Sequence, residues 1–207
     1  NIVYADKADH LGTIAPGKYP IRSAIHGMLP TPGWSSKNDW QSWIPVDQWP
    51  RSVAGEDGFV IAANQNPLPT NYPYYISDDW APDYRAKRIA AQLHEQTLRP
   101  GQTLEAKNSM LLQMDTTNSL KQAVDSFLTR AALPANNPYR QLLQDWDGTM
   151  LPNNASAVLV TSWLANINSL LFEDDIKRAG QSKHSFGGLL NQVDFPLVAS
   201  ALNGEKT

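Results

Sequence analysis

Two side chains of this sequence are suited to chemistry together, the amide of Asn64 and the guanidinium of Arg85. Asn64 closes a mostly apolar run at residues 58–64, which predicts a buried strand that presents the amide at its end. Arg85 falls in the first turn of a helix predicted to start at Pro82. An amide donor that is rigid, aimed and backed by a cation suits the stabilisation of an oxyanion. The pattern therefore predicts that the two side chains meet at one site.

Each of these residues also has an ordinary structural role open to it. An Asn at the end of a strand often bonds its own loop, and Pro67 marks such a loop here. A helical Arg often pairs with a nearby carboxylate, for which Asp79 and Asp83 are both candidates. Residue spacing alone favours these structural roles over the chemical one.

Other common catalytic and metal-binding patterns are missing from the sequence. The chain has no cysteine, which excludes disulfides and thiolate ligands, and it has no Gly-x-Ser-x-Gly motif. The four histidines form no HExxH zinc motif; they are His10, His26, His94 and His184. His94 is predicted on the polar surface of a helix, and the acidic run at residues 173–175 is predicted to be solvated.

The elements that must position Asn64 lie in a Pro- and Trp-rich β and loop portion, residues 1–81. Proline at this density excludes long helices and favours short strands and ordered loops. Strands are predicted at residues 1–6 and 58–64, with a long ordered loop at residues 29–50. Exposed tryptophans are costly, so those of this loop are predicted to pack it onto a larger body. They are Trp34, Trp40, Trp43 and Trp49.

The second portion, residues 82–207, is predicted to be mainly helical. The helix that carries Arg85 is predicted to run from Pro82 to about Leu98, and Thr103 is a predicted N-cap for the next one. The later helices are predicted from an amphipathic stripe, a proline start and a long apolar run. The amphipathic stripe consists of Leu120, Val124, Phe127 and Leu128. The helix that starts at a proline is predicted from Pro138 to about Asp147, with Gly148 at the C′ position. The long apolar run spans residues 155–172. A polar loop is predicted at residues 173–192 and a weaker helix at residues 194–202.

Composition places the chain among globular proteins, and the order of a β portion followed by a helical portion predicts the α+β class. Hydrophobic residues make up 42% and charged residues 18% of its 207 residues. The net charge is −3 and no Lys/Arg cluster exceeds two residues, which argues against nucleic-acid binding. No apolar run approaches the roughly 20 residues needed to span a bilayer. The strand-like opening at residues 1–5 predicts a fragment of a longer precursor, with an N-terminal edge strand as the alternative.

A series of short motifs over residues 1–172 resembles the β chain of the penicillin acylases, a family of N-terminal-nucleophile hydrolases. The first motifs are the Tyr4-Ala5-Asp6 strand with a glycine turn at Gly12, the run from Gly17 to Arg22, Leu29 to Gly33, and Asp39 to Pro45. The central ones are the strand from Gly58 to Pro67 and the helix start from Trp80 to Arg88. The later ones are Gln113 to Asp115, Asp145 to Gly148 and Ala155 to Leu164. Gln41 or Ser42 stands where that family usually has Gly.

The resemblance implies an amide hydrolase with an αββα sandwich, of which this chain is an internal fragment. In that family a precursor cuts itself, and the freed N-terminal Ser attacks the amide with its own α-amino group as base. By motif position, Asn64 is the side-chain donor of the oxyanion hole and Arg85 orients groups and tunes charge. Residue 1 is Asn, which cannot act as this nucleophile, so the chain alone is predicted to be inactive. The substrate implied is an acyl amine, such as a β-lactam antibiotic or an N-acyl homoserine lactone.

The resemblance also implies further components. No cofactor is required for catalysis, but several members bind a structural calcium ion, and Asp78 is the carboxylate of this chain that corresponds to a ligand. The partners implied are the α chain and the N-terminal part of the β chain, in a periplasmic or secreted bacterial enzyme. Two alternatives remain open: a non-catalytic binding module with a Trp-rich platform, and a degenerate acylase homologue.

Overall fold

The computed structural model of the chain describes residues 1–22, 29–55, 58–97, 105–131, 133–180 and 200. The chain divides into two compact units, unit 1 (Asn1–Leu104) and unit 2 (Glu105–Thr207). Among the described residues, unit 1 holds the paired strands, one α-helix and two short 3-10 helices (Ser36–Asn38 and Val46–Gln48), and unit 2 is mainly helical. Small antiparallel sheets and separate helices agree with the α+β class. The change of composition near residue 82 therefore does not coincide with the boundary between the units, because the helix that follows residue 82 belongs to unit 1.

Unit 1 contains short antiparallel strands. They are β1 (Ile2–Ala5), β2 (Leu11–Ile14), β3 (Pro20–Ile21), β4 (Ser42–Trp43) and β5 (Arg51–Val53). The order β1-β2-β5 forms one sheet, and β3 and β4 form a two-stranded ribbon. The hydroxyls of Thr13 and Ser52 hydrogen-bond across β2 and β5 at 2.8 Å. Strand β1 confirms the strand predicted at the start of the chain.

The connection from β1 to β2 differs from the glycine turn that we predicted at Gly12. Asp6 makes the turn, because its Oδ1 accepts the N–H groups of Ala8 at 2.8 Å and His10 at 2.9 Å. Gly12 instead lies within β2, directly opposite Tyr4. A Cβ at this position would lie 2.6 Å from both the Tyr4 hydroxyl and the Ser52 carbonyl oxygen. Glycine is therefore required by close packing inside the sheet.

The tryptophans near β4 lie at the surface of this chain. Trp34 is 91% exposed, and Trp40 and Trp43 are also exposed. The rings of Trp40 and Trp43 contact each other edge to face, with centroids 5.6 Å apart. Ile44, the residue after Trp43, is buried. The described residues thus leave these three rings largely uncovered, and their packing onto a larger body stays a prediction.

The segment at residues 58–64 forms no paired strand in the described part of the chain, so the predicted strand is wrong. A strand requires hydrogen bonds from a neighbouring chain segment, and none of the described residues provides a ladder here. An irregular stretch then leads to α1 (Tyr84–Thr97), which begins two residues after Pro82. His94 of this helix packs edge to face on Phe59 at 5.0 Å. It is therefore half-buried rather than on the polar surface that we predicted.

Unit 2 contains four described helices. They are α2 (Ala106–Gln113), α3 (Lys121–Arg130), α4 (Arg140–Gln144) and α5 (Ala155–Arg178). Glu105 caps α2 through a reciprocal pair of bonds with Asn108, while the predicted cap, Thr103, lies outside the described residues. Helix α4 ends earlier than predicted, so Gly148 is not its C′ residue. Gly148 has a φ of 91° in the turn that follows.

The core of unit 2 forms where α3, α4 and α5 meet. Val124 and Val160 are fully buried, and Trp146 is 1% exposed. The predicted stripe on α3 packs into this core, with Leu120 and Val124 buried and Phe127 and Leu128 at its margin. The Trp146 indole N–H donates to the Thr149 carbonyl at 2.9 Å, so its polar group is satisfied.

Helix α5 is longer than the apolar run that predicted it, because polar residues at 173–178 continue the helix. Glu173 pairs with Lys177 at 2.8 Å, an i,i+4 arrangement that supports a helical turn. The helix stops before Gly180, whose φ is 69°. Asn154 caps the other end and accepts the Ala157 N–H at 3.1 Å. The helix predicted at residues 194–202 lies outside the described residues, apart from Ser200.

Among the described helices, α5 is long and apolar enough to span a membrane by length and composition alone. This is weak evidence, because the central helix of a compact unit meets the same criterion. Val160, Leu164 and Ile167 are buried in the core of unit 2. Val158 and Leu170 are exposed on other sides of the helix. No charged residue occurs in the sequence of α5 before Glu173.

Two matching Asp-x-Thr turns join the ends of α2 and α4. Asp115 accepts the Thr117 hydroxyl at 2.8 Å, and Asp147 accepts the Thr149 hydroxyl at 2.7 Å. The two threonines form an antiparallel bridge. The bond from the Thr149 hydroxyl, followed by that from its N–H, lowers the pKa of Asp147 below the ordinary value of 3.8. The stabilisation that follows from this shift is present above pH 3.8 and is lost as the pH falls through the lower folded pKa.

We expect the substitution Asp147→Asn to reduce the loss of folding stability at acid pH. The side-chain oxygen of Asn still accepts the two bonds of the turn, but it carries no proton equilibrium. The melting temperature at pH 7 should therefore stay near wild type, while its fall below about pH 4 should be smaller. Circular dichroism melts from pH 2 to 7 measure both, with Thr149→Val as a second variant that weakens the same shift. The same fall of melting temperature with pH in the wild type and both variants would contradict this account.

Candidate active site

The backbone at Asn64 adopts a conformation that few residues other than glycine accept. Its φ is 65°, in the left-handed region where Asn is tolerated better than most side chains. The Asn64 carbonyl accepts the N–H of Ala81 at 3.0 Å, which ties this turn to the stretch just before α1. The turn is thus held at a defined distance from the helix that carries Arg85.

Arg85 reaches back from the first turn of α1 to this turn. Its Nη2 donates to the Asn64 side-chain Oδ1 at 2.7 Å and to the Ala63 carbonyl at 2.8 Å. The structure therefore brings together the two residues that the sequence analysis selected. The roles that we assigned to them are not tested by this contact and stay predictions.

The bond from Arg85 also orients the Asn64 amide. A guanidinium has donors and no acceptor, so it must face the amide oxygen. The Nδ2 group consequently points away from Arg85, and no described residue accepts a hydrogen bond from it. Binding of a negatively charged oxygen requires an N–H group that points towards that oxygen and is not already bonded to another acceptor.

In the part of the chain that the structure describes, Arg85 forms neither of the ion pairs considered for it, with Asp79 or with Asp83. Asp83 pairs instead with Lys87, at 2.9 Å. The loop-bonding role that we considered for Asn64 is taken by Asn66, whose Oδ1 accepts the Leu68 N–H at 2.9 Å. Asn64 and Arg85 are both exposed in this chain, so the described residues do not shield the site from water.

Gln65 is part of the same turn, and the sequence analysis did not single it out. Its Oε1 accepts the Ala63 N–H at 2.7 Å, and its Nε2 donates to the Ile61 carbonyl at 2.8 Å. No sequence signal marks this role, because a glutamine after a turn has many possible partners.

Asp78, the predicted calcium ligand, lies in the stretch before α1. Its Oδ2 accepts the Tyr75 hydroxyl at 3.0 Å, and the pKa of Tyr75 is raised by desolvation first and by this bond second. In the described ranges no group of three or more acidic or histidine side chains lies close enough to hold a metal. Calcium needs about 6–8 oxygen ligands, so these side chains alone do not fit it.

The histidines add no further site. The His10 ring bonds the Asp6 carboxylate at 2.8 Å on the surface, and His94 packs against Phe59. His26 and His184 lie outside the described residues.

Unit 2 has an open apolar groove of about 440 Å³ between α3, α4 and α5. Phe127 and Trp163 line it, with ring centroids 5.0 Å apart. The polar side chains around it are Asn137, Ser162, Asn166 and the Tyr139 hydroxyl. None of the lining residues is a nucleophile paired with a base.

Comparison with known proteins gives first the fold and then the family. A thermostable penicillin G acylase from Alcaligenes faecalis superposes with a TM-score of 0.59 at 20% identity, over 80% of this chain and 31% of that one. The chain thus shares its fold with part of an acylase. The sequence pattern of the penicillin amidase family matches residues 1–206. The chain belongs to the penicillin amidase family, which confirms the resemblance.

Curated relatives agree with this assignment. Penicillin acylase 2 proenzyme of a Pseudomonas species is 30% identical over 164 residues, which is 72% of this chain and 19% of that protein. Acyl-homoserine lactone acylase QuiP of Pseudomonas syringae pv. syringae is 31% identical over 198 residues, 85% of this chain and 22% of that protein. The chain spans about a fifth of the length of these relatives.

Proposed function

We propose that this chain is the part of an N-terminal-nucleophile amide hydrolase that supplies the side-chain donor of the oxyanion hole. The observation that carries the proposal is the bond from Arg85 to Asn64 Oδ1, which turns the Asn64 Nδ2 group away from Arg85, with no acceptor for it among the described residues. Membership of the penicillin amidase family supports it.

In the proposed reaction, an N-terminal hydroxyl outside this chain attacks the carbonyl carbon of an acyl amine. Its α-amino group takes the hydroxyl proton, and the carbonyl oxygen gains negative charge in the tetrahedral intermediate. The Asn64 Nδ2 group donates to that oxygen. Arg85 adds to this effect, because an amide whose oxygen is bonded to a cation is a stronger donor through its nitrogen.

The same proposal assigns the remaining parts of the enzyme to other segments of a precursor. Asn64 and Arg85 are exposed in this chain, whereas an oxyanion donor works best where water is excluded. The α chain and the N-terminal part of the β chain would cover the site and complete an αββα sandwich. A relative described as a proenzyme supports a precursor. Because the attacking hydroxyl belongs to another segment under the proposal, this chain alone would be inactive.

The proposed substrate is a linear amide between an acyl group and an amine. Relatives named penicillin acylase and acyl-homoserine lactone acylase both fit this class and do not separate its members. The relatives are bacterial, and we propose a periplasmic or secreted location for the full-length protein.

One observation favours a second function, a binding module with an aromatic platform. Trp34 is 91% exposed, and Trp40 and Trp43, which follow it in the same loop region, form an edge-to-face pair. Exposed aromatic rings bind glycans and peptides, but they also form the centre of protein interfaces. Under the main proposal these rings are covered by the rest of the precursor.

We also propose that the full-length protein binds a structural calcium ion, with Asp78 as one carboxylate ligand. The described residues offer too few ligands, and we propose that segments outside this chain supply the other oxygens. No catalytic step depends on this ion.

The main test is the substitution Asn64→Ala in the full-length protein. We expect kcat for hydrolysis of an acyl amine to fall about 100- to 1000-fold, because one oxyanion donor is lost. Asn66→Ala is the matched control, since this neighbouring Asn bonds only its own loop and should leave kcat near wild type. Full activity of Asn64→Ala would overturn the proposal, and a wild-type protein without amidase activity would favour the degenerate homologue.

The aromatic alternative is tested by fluorescence of the full-length protein. The spectrum of a Trp34→Phe, Trp40→Phe and Trp43→Phe triple variant is subtracted from that of the wild type. If the precursor covers these rings, the difference spectrum should be blue-shifted and poorly quenched by acrylamide. A red-shifted and strongly quenched difference would favour the open platform.

The calcium proposal is tested by thermal melting of the full-length protein. We expect EDTA to lower the melting temperature of the wild type, because loss of a bound ion destabilises the folded state. Asp78→Asn should lose most of this response and Asp79→Asn should keep it. An EDTA response that is the same in wild type and Asp78→Asn would remove Asp78 from the site.

A further inference from the structure

We infer that Gln65 is a positioning residue for Asn64, which it holds by clamping the backbone on the N-terminal side of the turn. The inference rests on the proposed function, because it concerns the same oxyanion donor. Gln65 acts through Asn64 and does not itself contact the substrate.

The clamp consists of two hydrogen bonds from one side-chain amide. Gln65 Oε1 accepts the Ala63 N–H at 2.7 Å, and Gln65 Nε2 donates to the Ile61 carbonyl at 2.8 Å. The two backbone groups lie two residues apart in a segment that has no ladder partner among the described residues. The glutamine amide therefore takes the place of a neighbouring strand for this short stretch.

The clamp closes around Asn64, because it joins the residue after it to the residues before it. Ala63 is buried, with 6% exposure, so its polar backbone groups need partners. Gln65 satisfies its N–H and Arg85 satisfies its carbonyl, at 2.8 Å. With the carbonyl of Asn64 bonded to the Ala81 N–H, the peptide groups on both sides of the amide donor are held.

This arrangement explains how a left-handed residue stays in one orientation. The φ of 65° at Asn64 is less favourable for Asn than for glycine, so hydrogen bonds from outside the turn help to hold it. Arg85 restrains the Asn64 side chain, whereas Gln65 restrains the backbone that carries it. Loss of the clamp would let the turn relax and move Nδ2 away from the developing charge.

The experiment is a double-mutant cycle in the full-length protein with Asn64→Ala and Gln65→Met. Methionine keeps the length and volume of glutamine but removes both hydrogen bonds. We expect Gln65→Met alone to lower kcat about 10- to 100-fold with KM changed less than about threefold, since a small displacement of a donor is costly. In the Asn64→Ala background the same change should lower kcat less than about threefold, because it acts through Asn64.

The outcomes separate this inference from the proposed function. If Asn64→Ala has no effect on kcat, the proposed function fails and the inference with it. If Asn64→Ala is severe but Gln65→Met stays within threefold of wild type, only the inference fails. Losses that multiply in the double variant would also overturn it, since they would indicate a general structural role.

A second variant covers the case in which Gln65→Met does not fold. Gln65→Asn keeps a neutral amide but is one methylene shorter, so it cannot reach both the Ala63 N–H and the Ile61 carbonyl. It should lower kcat no more than Gln65→Met does, with the same dependence on Asn64. A Gln65→Asn loss that persists undiminished in the Asn64→Ala background would overturn the inference.

Discussion

The site depends on one guanidinium that serves two oxygens. Arg85 Nη2 bonds both the side chain of Asn64 and the carbonyl of Ala63, so the amide and the peptide that carries it are held by the same cation. Because a guanidinium only donates, this contact decides which end of the amide faces outward. The left-handed turn, its hydrogen bond to Ala81 and the start of α1 lie on either side of this contact.

The contact between Asn64 and Arg85 was predicted from the sequence, whereas the bonds that support it were not. An Asn and an Arg separated by a loop suggested a donor and a cation, and the structure places them in contact. The backbone at Asn64 was predicted as the end of a strand, but it forms an irregular turn, because strand pairing depends on partners distant in sequence. Gln65 was missed for a related reason, since its bonds exist only once the turn has formed.

The helices show which local signals can be trusted. The spacing of Leu120, Val124 and Phe127 predicted a stripe that packs in the core, because that pattern follows from helix geometry alone. Polarity at residues 173–178 was a poor guide, since ion pairs such as Glu173–Lys177 support a helix as well as a loop. The backbone conformation of Gly180 marks the true end of α5. Gly12 was predicted as a turn residue, although its lack of a Cβ serves packing under Tyr4.

The uncharged stretch of α5 has a consequence for how the chain behaves in solution. From Ala155 to Phe172 no side chain supplies electrostatic repulsion between molecules, while Val158 and Leu170 are exposed along it. Apolar surface without charge favours self-association as concentration rises.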